Sequence, residues 1–439
     1  MEKQRLKEIL IDQKETYINQ NYVERNYNLD ANINYCFVGI RRCGKSYLMY
    51  QLIHKVVNSG INQDRIAYVN FQDERLLEFT YSDFDKLLEI AIELSSDKGQ
   101  PYLFLDEIQV IDNWDKFVRR IADMKYHVSV TGSNSKMLSS EIASTLGGRF
   151  MILNVYPYSF YEYLKANGIE KIDEILSTKN RANITNLFDK YLKFGGFPEF
   201  INIDNKKEYL NNIYQTIYLG DIIARNKLEN SFVLRLIIKK IAESIMKPIS
   251  YTRVFNIIKS SGADIGKQTV INYVGYSLDA LLIFNIQNYA AKLVEKETLP
   301  KYYFMDQGLL NILGVQDPLT AQLENTVAIE LIRRFGKENV YYFDKNTEID
   351  FYIPGENTAI QVSYSIDDSE TYERETSALT RFKTYYSNTR CLILTMSEEK
   401  QITIDGVNIE IIPVWKWLLK NKYKQESWCV KNIISFFGE

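Results

Sequence analysis

Apolar and polar positions alternate in two distinct ways over the first third of the chain. Four short and mostly apolar runs, each bounded by polar or turn residues, predict strands at 35–38, 65–71, 102–105 and 127–131. Helical spacing of apolar residues predicts helices at 1–30, 45–58, 83–94 and 114–124. Apolar strands joined by helices are typical of a parallel sheet covered on both faces, so an α/β domain is predicted that ends near residue 155.

The remaining chain changes its pattern twice. Residues 156–230 are predicted to be helical, with an interruption by the FGGFPEF segment at 194–200. Residues 231–315 are predicted to form a further helical stretch that ends in strand-like segments at 281–289 and 301–305. Mixed α/β character returns in residues 316–439, with a helix at 322–335 and strands at 340–344, 349–353, 359–363 and 391–395. We therefore predict four segments with boundaries near residues 155, 230 and 315.

The composition of the chain excludes several classes of protein. The 439 residues are 46% hydrophobic and 25% charged, which is typical of a globular chain rather than a disordered one. A net charge of −3 excludes a polycationic nucleic-acid coat, although it is compatible with a local basic face. Two histidines, His54 and His127, are too few for a multi-histidine metal site. Because the cysteines lack CxxC spacing, neither a zinc ribbon nor a disulfide scaffold is indicated; they are Cys36, Cys43, Cys391 and Cys429.

The start of the chain and its apolar runs bear on its location. The first residues, MEKQRLKEILIDQKE, are charged throughout and contain no apolar signal-peptide core. Apolar runs such as 280–286 are far shorter than the roughly 18 residues of a membrane-spanning helix. We therefore expect a cytoplasmic protein with no membrane partner.

Residues 39–46 read GIRRCGKS and match the phosphate-binding pattern GxxxxGK[ST]. Gly39 and Gly44 allow backbone torsions that point successive N–H groups at a phosphate, Lys45 can neutralise phosphate oxygens, and the Ser46 hydroxyl can ligate Mg²⁺. An apolar strand precedes this pattern and a helix follows it, which is the context that the loop requires. We therefore predict that ATP and Mg²⁺ are bound by nine consecutive residues: Gly39, Ile40, Arg41, Arg42, Cys43, Gly44, Lys45, Ser46 and Tyr47.

An acidic pair follows the strand at 102–105. We expect this strand to lie beside the P-loop strand, so that Asp106 holds Mg²⁺ through a water molecule and Glu107 polarises the attacking water. Asn70, at the end of the second strand, would restrain Glu107. The alternative role for an acidic pair in this place is to cap the next helix.

These motifs together resemble a prokaryotic AAA-type ATPase family, in which an ATPase core is fused to a C-terminal region long classed as of unknown function. The resembling segments keep the family's order and cover almost the whole chain: GIRRCGKSYLM at 39–49, LFLDEIQ at 103–109, VTGSNSKML at 130–138, LGGRF at 146–150, YPYSFYEYL at 156–164, GGFPEF at 195–200, DIIARN at 221–226, KYYFMDQGLLN at 301–311, and the later ELIRR and EIDFYI segments. The resemblance implies an α/β fold with an ATPase core over 1–155, a helical lid over 156–230, a winged-helix-like segment over 231–315 and a smaller restriction-endonuclease-like α/β domain over 316–439.

Two further places concern the γ-phosphate. In AAA-type ATPases a polar residue after the strand at 127–131 contacts the γ-phosphate and the water, and Ser133 or Asn134 would take that place, with Thr131 behind them. Arg149 follows two glycines and could reach a phosphate in a neighbouring subunit, which would require a homo-oligomer. The alternatives are ordinary strand-end turn residues and a surface arginine.

Residues 249–283 contain a predicted helix, a tight turn at 262–266, and a second helix from Lys267, with a strand pair after it that would form a wing. Residues 231–300 contain nine Lys and Arg against five Asp and Glu, a local net charge of +4. Base edges are read at the exposed start of such a second helix, so the candidate DNA contacts are Lys267, Gln268, Thr269 and Asn272. The alternative is a lid or a module that contacts protein.

The implied restriction-endonuclease-like domain has an incomplete site. Such nucleases use an acidic residue on a helix, for which Glu324 and Glu330 are the candidates, and an aspartate on a strand, for which Asp350 is the candidate. They also use a Glu-x-Lys pair on the next strand, but here that pair reads Gln361 and Ser363, so the lysine is missing. We therefore expect an inactive scaffold or a nucleic-acid-binding remnant rather than a nuclease.

The sequence thus predicts a Mg²⁺-dependent AAA-type ATPase that couples its nucleotide state to the binding of DNA or of a protein partner. Two alternatives stay open: a nucleotide-gated switch or scaffold with little turnover, and an ATP-gated DNA nuclease. Glu107 favours hydrolysis over the switch, whereas Gln361 and Ser363 count against the nuclease.

Overall fold

The computed structural model describes residues 1–18, 20–96, 99–133, 137, 145–169, 178–315 and 318–420. The chain divides into two units. The first comprises Met1–Tyr156 with the short stretch Asp279–Leu281, and the second comprises Pro157–Leu278 and Leu282–Glu439. The three segments that the sequence predicts beyond residue 155 therefore lie almost entirely within one unit.

A parallel sheet of five strands organises the first unit. Its strands are Tyr35–Val38 (β1), Ile66–Asn70 (β2), Tyr102–Asp106 (β3), His127–Gly132 (β4) and Met151–Asn154 (β5). Its helices are Lys3–Ile18 (α1), Lys45–Asn58 (α2), Phe84–Leu94 (α3) and Trp114–Asp123 (α4). The strands run parallel in the order β2-β3-β4-β1-β5. Strands β1 and β3 are buried along their whole length, which explains their continuous apolar sequences.

The order of these strands corrects one prediction. We expected β3 to lie beside the P-loop strand β1, but β4 lies between them, because Val130 of β4 pairs with Cys36 on one side and with Leu105 on the other. The edge strand β5 pairs with β1 and is not predicted by the pattern, because four residues, none of them buried, are too few to show a period.

The N-terminal helix α1 is shorter than predicted. It ends at Ile18 rather than near residue 30. The segment after it contains Asn21, Asn26 and Asn28, whose short amide side chains compete for backbone hydrogen bonds and disfavour a helix interior. The prediction of helix through residue 30 is therefore wrong.

Helices make up the first part of the second unit. They are Phe160–Ala166 (α5), Thr178–Phe194 (α6), Lys206–Gln215 (α7), the π-helix Thr216–Ala224, Ser231–Glu243 (α8), Tyr251–Ser260 (α9) and Lys267–Asp279 (α10). The predicted interruption falls between α6 and α7, where Gly195 adopts a φ of +87°. No helix among the described residues is long and apolar enough to cross a membrane.

A mixed sheet of eight strands forms the rest of the second unit. Its strands are Ile283–Asn288 (β6), Lys301–Phe304 (β7), Tyr341–Asp344 (β8), Glu348–Ile353 (β9), Thr358–Val362 (β10), Arg390–Thr395 (β11), Lys400–Ile404 (β12) and Val407–Pro413 (β13). The strand order is β12-β13-β11-β10-β9-β8-β6-β7. The helices of this part are Leu293–Thr298 (α11), Leu309–Ile312 (α12), Pro318–Phe335 (α13), Ser369–Tyr385 (α14) and Val414–Leu419 (α15).

This sheet joins two segments that the sequence predicts separately. Strand β6 pairs antiparallel with β7, and at Gln287 it also pairs parallel with Tyr341 of β8. The strand pair that we expected to form a free wing is therefore one edge of the large sheet. The predicted boundary near residue 315 falls between strands of that sheet.

Candidate functional site

The loop at 39–46 joins β1 to α2 and requires glycine in two places. A Cβ at Gly39 would lie 2.1 Å from the Val155 carbonyl oxygen, so a side chain there would clash with the backbone. Gly44, the residue before α2, has a φ of +95°. As a glycine, this residue has no side chain to cap the helix, so the first N–H groups of α2 are available to an anion.

Lys45 is buried at the start of α2, with 4% of its surface exposed. Its ammonium nitrogen lies 3.2 Å from the Gly39 carbonyl oxygen, 3.3 Å from the Ile40 carbonyl oxygen and 3.3 Å from Glu107 Oε1. Burial works against the charged form of this lysine, but the negative charge of Glu107 opposes it, and the pKa of Lys45 is raised on balance. The ammonium therefore stays charged inside the loop.

Asp106 ends β3 and is fully buried among hydroxyl groups. Tyr68 donates a hydrogen bond to Oδ2 at 2.8 Å and Thr131 donates one to Oδ1, and the Ser46 hydroxyl lies near the carboxylate. Burial, followed by the charge of Glu107, raises the pKa of Asp106. Ser46 and Asp106 thus place side-chain oxygens that could ligate a metal side by side at the end of the loop.

Glu107 follows β3 with a φ of +53°, a left-handed conformation that costs a residue other than glycine about 1–3 kcal/mol. Its N–H donates to the Thr131 hydroxyl at 2.8 Å. Oε1 faces Lys45, whereas Oε2 accepts hydrogen bonds from Gln109 Nε2 at 2.6 Å and Ser133 Oγ at 3.1 Å. Burial alone would raise the pKa of this carboxyl, but the Lys45 charge and the Gln109 amide lower it on balance. Glu107 is therefore an ionised carboxylate.

These residues meet although β4 separates their strands. Neighbouring strands lie about 4.8 Å apart, so β1 and β3 are roughly twice that distance from each other. The long side chains of Lys45 and Glu107 span the gap over the end of β4, where Thr131 and Ser133 contact the acidic pair. The corrected strand order is thus compatible with one shared site.

The other predicted residues near this site have different placements. Ser133 lies beside Glu107, whereas Asn134 lies outside the described residues. Asn70 is not the restraint that we expected, because its Oδ1 accepts a hydrogen bond from the Gln72 N–H at 2.9 Å. The Gln109 amide contacts Glu107 instead.

The three arginines near the loop have different surroundings. Arg41 is half-buried, and its positive charge contributes to lowering the pKa of Glu107, after the larger influences named above. Arg42 is exposed, with a φ of +67°. Arg149 forms an ion pair with Asp123 and also donates to the Gly147 carbonyl oxygen at 3.2 Å, so it is not part of the Lys45–Glu107 cluster.

Three residues around the loop are not singled out by the sequence. Tyr68 and Gln109 hold the acidic pair, and Gln109 could have been noticed because it lies two residues after Glu107. Arg25 donates to the carbonyl oxygens of Cys43 at 3.1 Å and of Tyr156 at 2.8 Å, which braces the loop. It leaves no local signal, because these partners are 18 and 131 residues away.

The second unit contains another buried lysine. Lys301 on β7 has no exposed surface, and its ammonium lies 3.1 Å from Glu348 Oε1 and 3.4 Å from Asp350 Oδ1. Glu324 on α13 accepts a hydrogen bond from the Tyr303 hydroxyl at 2.7 Å. Burial, then the charge of Asp350, raises the pKa of Glu324, and Lys301 opposes this rise. Glu324 and Asp350 therefore lie in one cluster, together with a lysine that the sequence does not indicate.

Of the remaining nuclease candidates, Gln361 lies beside Asp350, whereas Glu330 pairs with arginines. Gln361 Oε1 accepts the Asp350 N–H at 2.8 Å, and its Nε2 donates to the Glu348 carbonyl oxygen at 3.2 Å, so this amide braces the backbone. Glu330 instead forms ion pairs with Arg333 at 2.6 Å and Arg334 at 2.7 Å. Of the two helix glutamates, Glu324 is the one in the Asp350 cluster.

The candidate DNA contacts lie on the first turns of α10. Lys267, Gln268 and Asn272 are exposed, and Thr269 is half-buried. The Gln268 amide donates to Asn272 Oδ1 at 3.0 Å. Their exposure leaves this helix start open to solvent.

Two family models match the chain. One is described as an AAA domain and covers residues 32–164, and the other is described as a domain of unknown function and covers residues 185–320. The AAA match contains the P-loop, the acidic pair and Ser133. Most of the first unit therefore matches an AAA domain.

Individual relatives are similar to the chain over both units. An uncharacterized protein of Haemophilus influenzae is 29% identical over 394 residues, which are 87% of this chain and 93% of that protein. Among solved structures, a Walker-type ATPase of Pyrococcus abyssi is 14% identical with a TM-score of 0.38, over 72% of this chain and 96% of that one. An uncharacterized protein of Methanocaldococcus jannaschii is 35% identical over 395 residues, 87% of each chain. The protein therefore belongs to the same family as this archaeal protein, and its residues 32–164 match an AAA domain.

Proposed function

We propose that the protein is a Mg²⁺-dependent ATPase of the AAA type. The observation that carries this proposal is the meeting of Lys45, Ser46, Asp106 and Glu107 at the uncapped start of α2. A buried ammonium and unused helix N–H groups suit a triphosphate, and an ionised carboxylate beside them suits a general base. The AAA match over residues 32–164 supports the proposal.

The donor set of the site fits Mg²⁺. The Ser46 hydroxyl and the Asp106 carboxylate are hard oxygen donors, which this ion prefers. Within the described ranges there is no group of three or more His, Cys, Asp or Glu side chains that could hold a metal, so the other ligands would be phosphate oxygens and water. When bound, Mg²⁺ would neutralise charge on the β- and γ-phosphate oxygens.

The residues of the chain then have distinct tasks. Lys45 and the first N–H groups of α2 bind and orient the phosphates. As the Lys45 ammonium turns to phosphate oxygens, Glu107 Oε1 becomes the acceptor for a proton of the attacking water. The water oxygen bonds to the γ-phosphorus, the bond to the bridging oxygen breaks, and its electron pair leaves with ADP.

Turnover of ATP with and without Mg²⁺ tests the proposal. Glu107→Gln should lower kcat by about 10²- to 10⁴-fold, because it removes the proton acceptor, and should retain nucleotide binding. Glu93→Gln is the matched control, because Glu93 also pairs with a lysine, Lys3 at 2.7 Å, but on an exposed helix face. Wild-type protein that binds Mg-ATP without turnover would favour the nucleotide switch, and full turnover in Glu107→Gln would refute the role of Glu107.

The proposal extends to assembly through Arg149. In a homo-oligomer this arginine would leave Asp123 and approach the nucleotide of a neighbouring subunit. Arg149→Ala should then suppress turnover and keep nucleotide affinity, and mixing it with Lys45→Ala protein should restore some activity. A monomer with full turnover would contradict this extension.

A second candidate function is DNA binding by α10, which its exposed first turns support. Anisotropy of a labelled duplex over a salt series should show binding that weakens with salt, and Lys267→Ala should reduce the salt slope by about 1. Lys400→Ala, an exposed lysine on β12, should leave the slope unchanged. Plasmid nicking that disappears in Asp350→Ala would instead establish the nuclease alternative.

A further inference from the structure

The hydrogen bonds around Glu107 single out Gln109, in the short turn Ile108–Val110 after β3. Its Nε2 lies 2.6 Å from Glu107 Oε2 and 3.3 Å from Ser133 Oγ. Ser133 Oγ in turn donates to the same Glu107 oxygen at 3.1 Å. Three side chains from two strand ends therefore close a ring of hydrogen bonds on one carboxylate oxygen.

The chemistry of this ring fixes the orientation of the Gln109 amide. The Glu107 carboxyl group faces the Lys45 ammonium at 3.3 Å with Oε1 and accepts a hydrogen bond at 2.6 Å with Oε2, so the NH₂ group of Gln109 faces Glu107. The Gln109 Oε1 atom is then buried and has no hydrogen-bond partner among the described residues. A buried acceptor without a partner lowers the stability of the fold. If Gln109 only filled space, an apolar side chain of the same size would therefore be more stabilising. The N–H groups are the part of Gln109 that the site uses.

The space for this amide depends on Gly132 at the end of β4. A Cβ at Gly132 would lie 2.7 Å from Gln109 Oε1 and 1.8 Å from Met137 Sδ. The lack of a side chain at Gly132 therefore lets Gln109 approach Glu107 from this side.

The two oxygens of Glu107 have different partners. Oε1 faces Lys45, whereas Oε2 is held by Gln109 and Ser133. In the proposed reaction the phosphates draw the Lys45 ammonium away, which frees Oε1 and leaves Oε2 anchored. An anchored Oε2 fixes the direction in which Oε1 points at the attacking water.

We propose that Gln109 is a positioning residue for ATP hydrolysis, which holds Glu107 Oε2 so that Oε1 receives the proton of the water. This inference rests on the proposed ATPase function. Gln109 acts through Glu107, so its loss should lower kcat and leave the affinity for Mg-ATP unchanged.

Gln109→Met tests this role, because it keeps the length of the side chain and removes the N–H groups. We expect kcat to fall by about 10- to 100-fold, the range in which a misplaced reacting group affects rate, with an unchanged Kd for Mg-ATP. The matched control is Gln4→Met, which removes an exposed amide–carboxylate hydrogen bond of 3.0 Å to Glu8 on α1 and should leave both constants unchanged.

A double substitution separates positioning from structure. In the Glu107→Gln background, Gln109→Met should cause no further loss in single-turnover hydrolysis, because a positioning residue acts only through the base. A purely structural role of Gln109 would lower hydrolysis by the same factor in the wild-type and in the Glu107→Gln background. If Gln109→Met does not fold, Gln109→Glu decides, because it keeps the shape of the side chain and places a second carboxylate against Glu107.

Wild-type turnover in folded Gln109→Met or Gln109→Glu would overturn the inference, as would an equal further loss in the Glu107→Gln background. Wild-type protein without any ATPase activity would contradict the proposed function itself. The two failures are therefore distinguishable in one set of assays.

Discussion

Both units bury a lysine against carboxylates, but the surroundings of the two lysines differ. Lys45 lies 3.3 Å from Glu107 and near the charge of Asp106, at the positive start of α2, and the half-buried Arg41 acts on Glu107. Lys301 lies 3.1 Å from Glu348 and 3.4 Å from Asp350, and the carboxyl of Glu324 is also near it. The surroundings of Lys45 suit an incoming anion, whereas the carboxyl groups around Lys301 hold its ammonium in place.

The two glutamines beside these lysines show the same contrast. Gln109 donates to the carboxylate of Glu107, whose other oxygen faces the lysine. Gln361 instead bonds to the backbone of Asp350 and Glu348. A buried lysine–carboxylate pair is therefore not itself a sign of catalysis, because the helix start beside the pair and the contacts of the neighbouring amides decide what the pair can do.

The largest effect that would sharpen this contrast is expected from Lys301→Met. Loss of the ammonium leaves Asp350 and Glu324 buried without their cation, so the free energy of unfolding of the second unit should fall by about 3–5 kcal/mol. Hydrogen exchange of peptides from β9 and β10 in a denaturant series measures this loss. Lys400→Met is the control at an exposed lysine, and unchanged protection in Lys301→Met would break the comparison.

An intermediate effect is expected from pH through Glu324. Burial and the charge of Asp350 raise its pKa above the ordinary value of 4.5, so the folded chain binds this proton more tightly than the unfolded chain. Stability from this group is therefore present at low pH and is lost as the pH rises above 4.5 toward the raised pKa. Melting temperatures of the second unit should fall over this range, and Glu324→Gln should flatten the slope. Equal slopes in both proteins would contradict the assignment.

The smallest effect on stability is expected from Lys45→Met. Glu107 keeps its hydrogen bonds from Gln109 and Ser133 when the ammonium is lost. The free energy of unfolding should therefore fall by only about 1 kcal/mol, the ordinary effect of a single substitution. Hydrogen exchange of peptides from β3 and β4 measures this free energy. A loss as large as that of Lys301→Met would remove the distinction between the two lysines.

The site of the first unit could be predicted because its parts are local in the sequence. The P-loop pattern occupies eight residues, and α2 begins at Lys45 and ends at Asn58 as predicted. Asp106 and Glu107 stand at the end of a recognisable apolar strand. The position of β4 between β1 and β3 could not be read in the same way, because the pairing of parallel strands leaves no local trace in the sequence.

The cluster of the second unit could be predicted only in part. The resemblance to restriction-endonuclease-like domains points to Glu324, Asp350 and Gln361, but it places the lysine on the strand of Gln361. Lys301 comes from β7, 49 residues before Asp350, and so escapes such a pattern. The edge position of β6 and β7 in the large sheet likewise depends on partners that are distant in sequence.

The central claim is that the first unit binds Mg-ATP through Lys45, and calorimetric titration of the full chain tests it most directly. We expect binding by the wild-type protein and a loss of about 10- to 100-fold in affinity in Lys45→Ala, since a hydrogen bond to a charged group contributes about 1.5–3 kcal/mol. Lys14→Ala, which breaks an outlying pair with Asp64 at 2.7 Å, should bind like the wild type. A wild-type protein that does not bind Mg-ATP, or a Lys45→Ala protein that binds it with undiminished affinity, would contradict the claim.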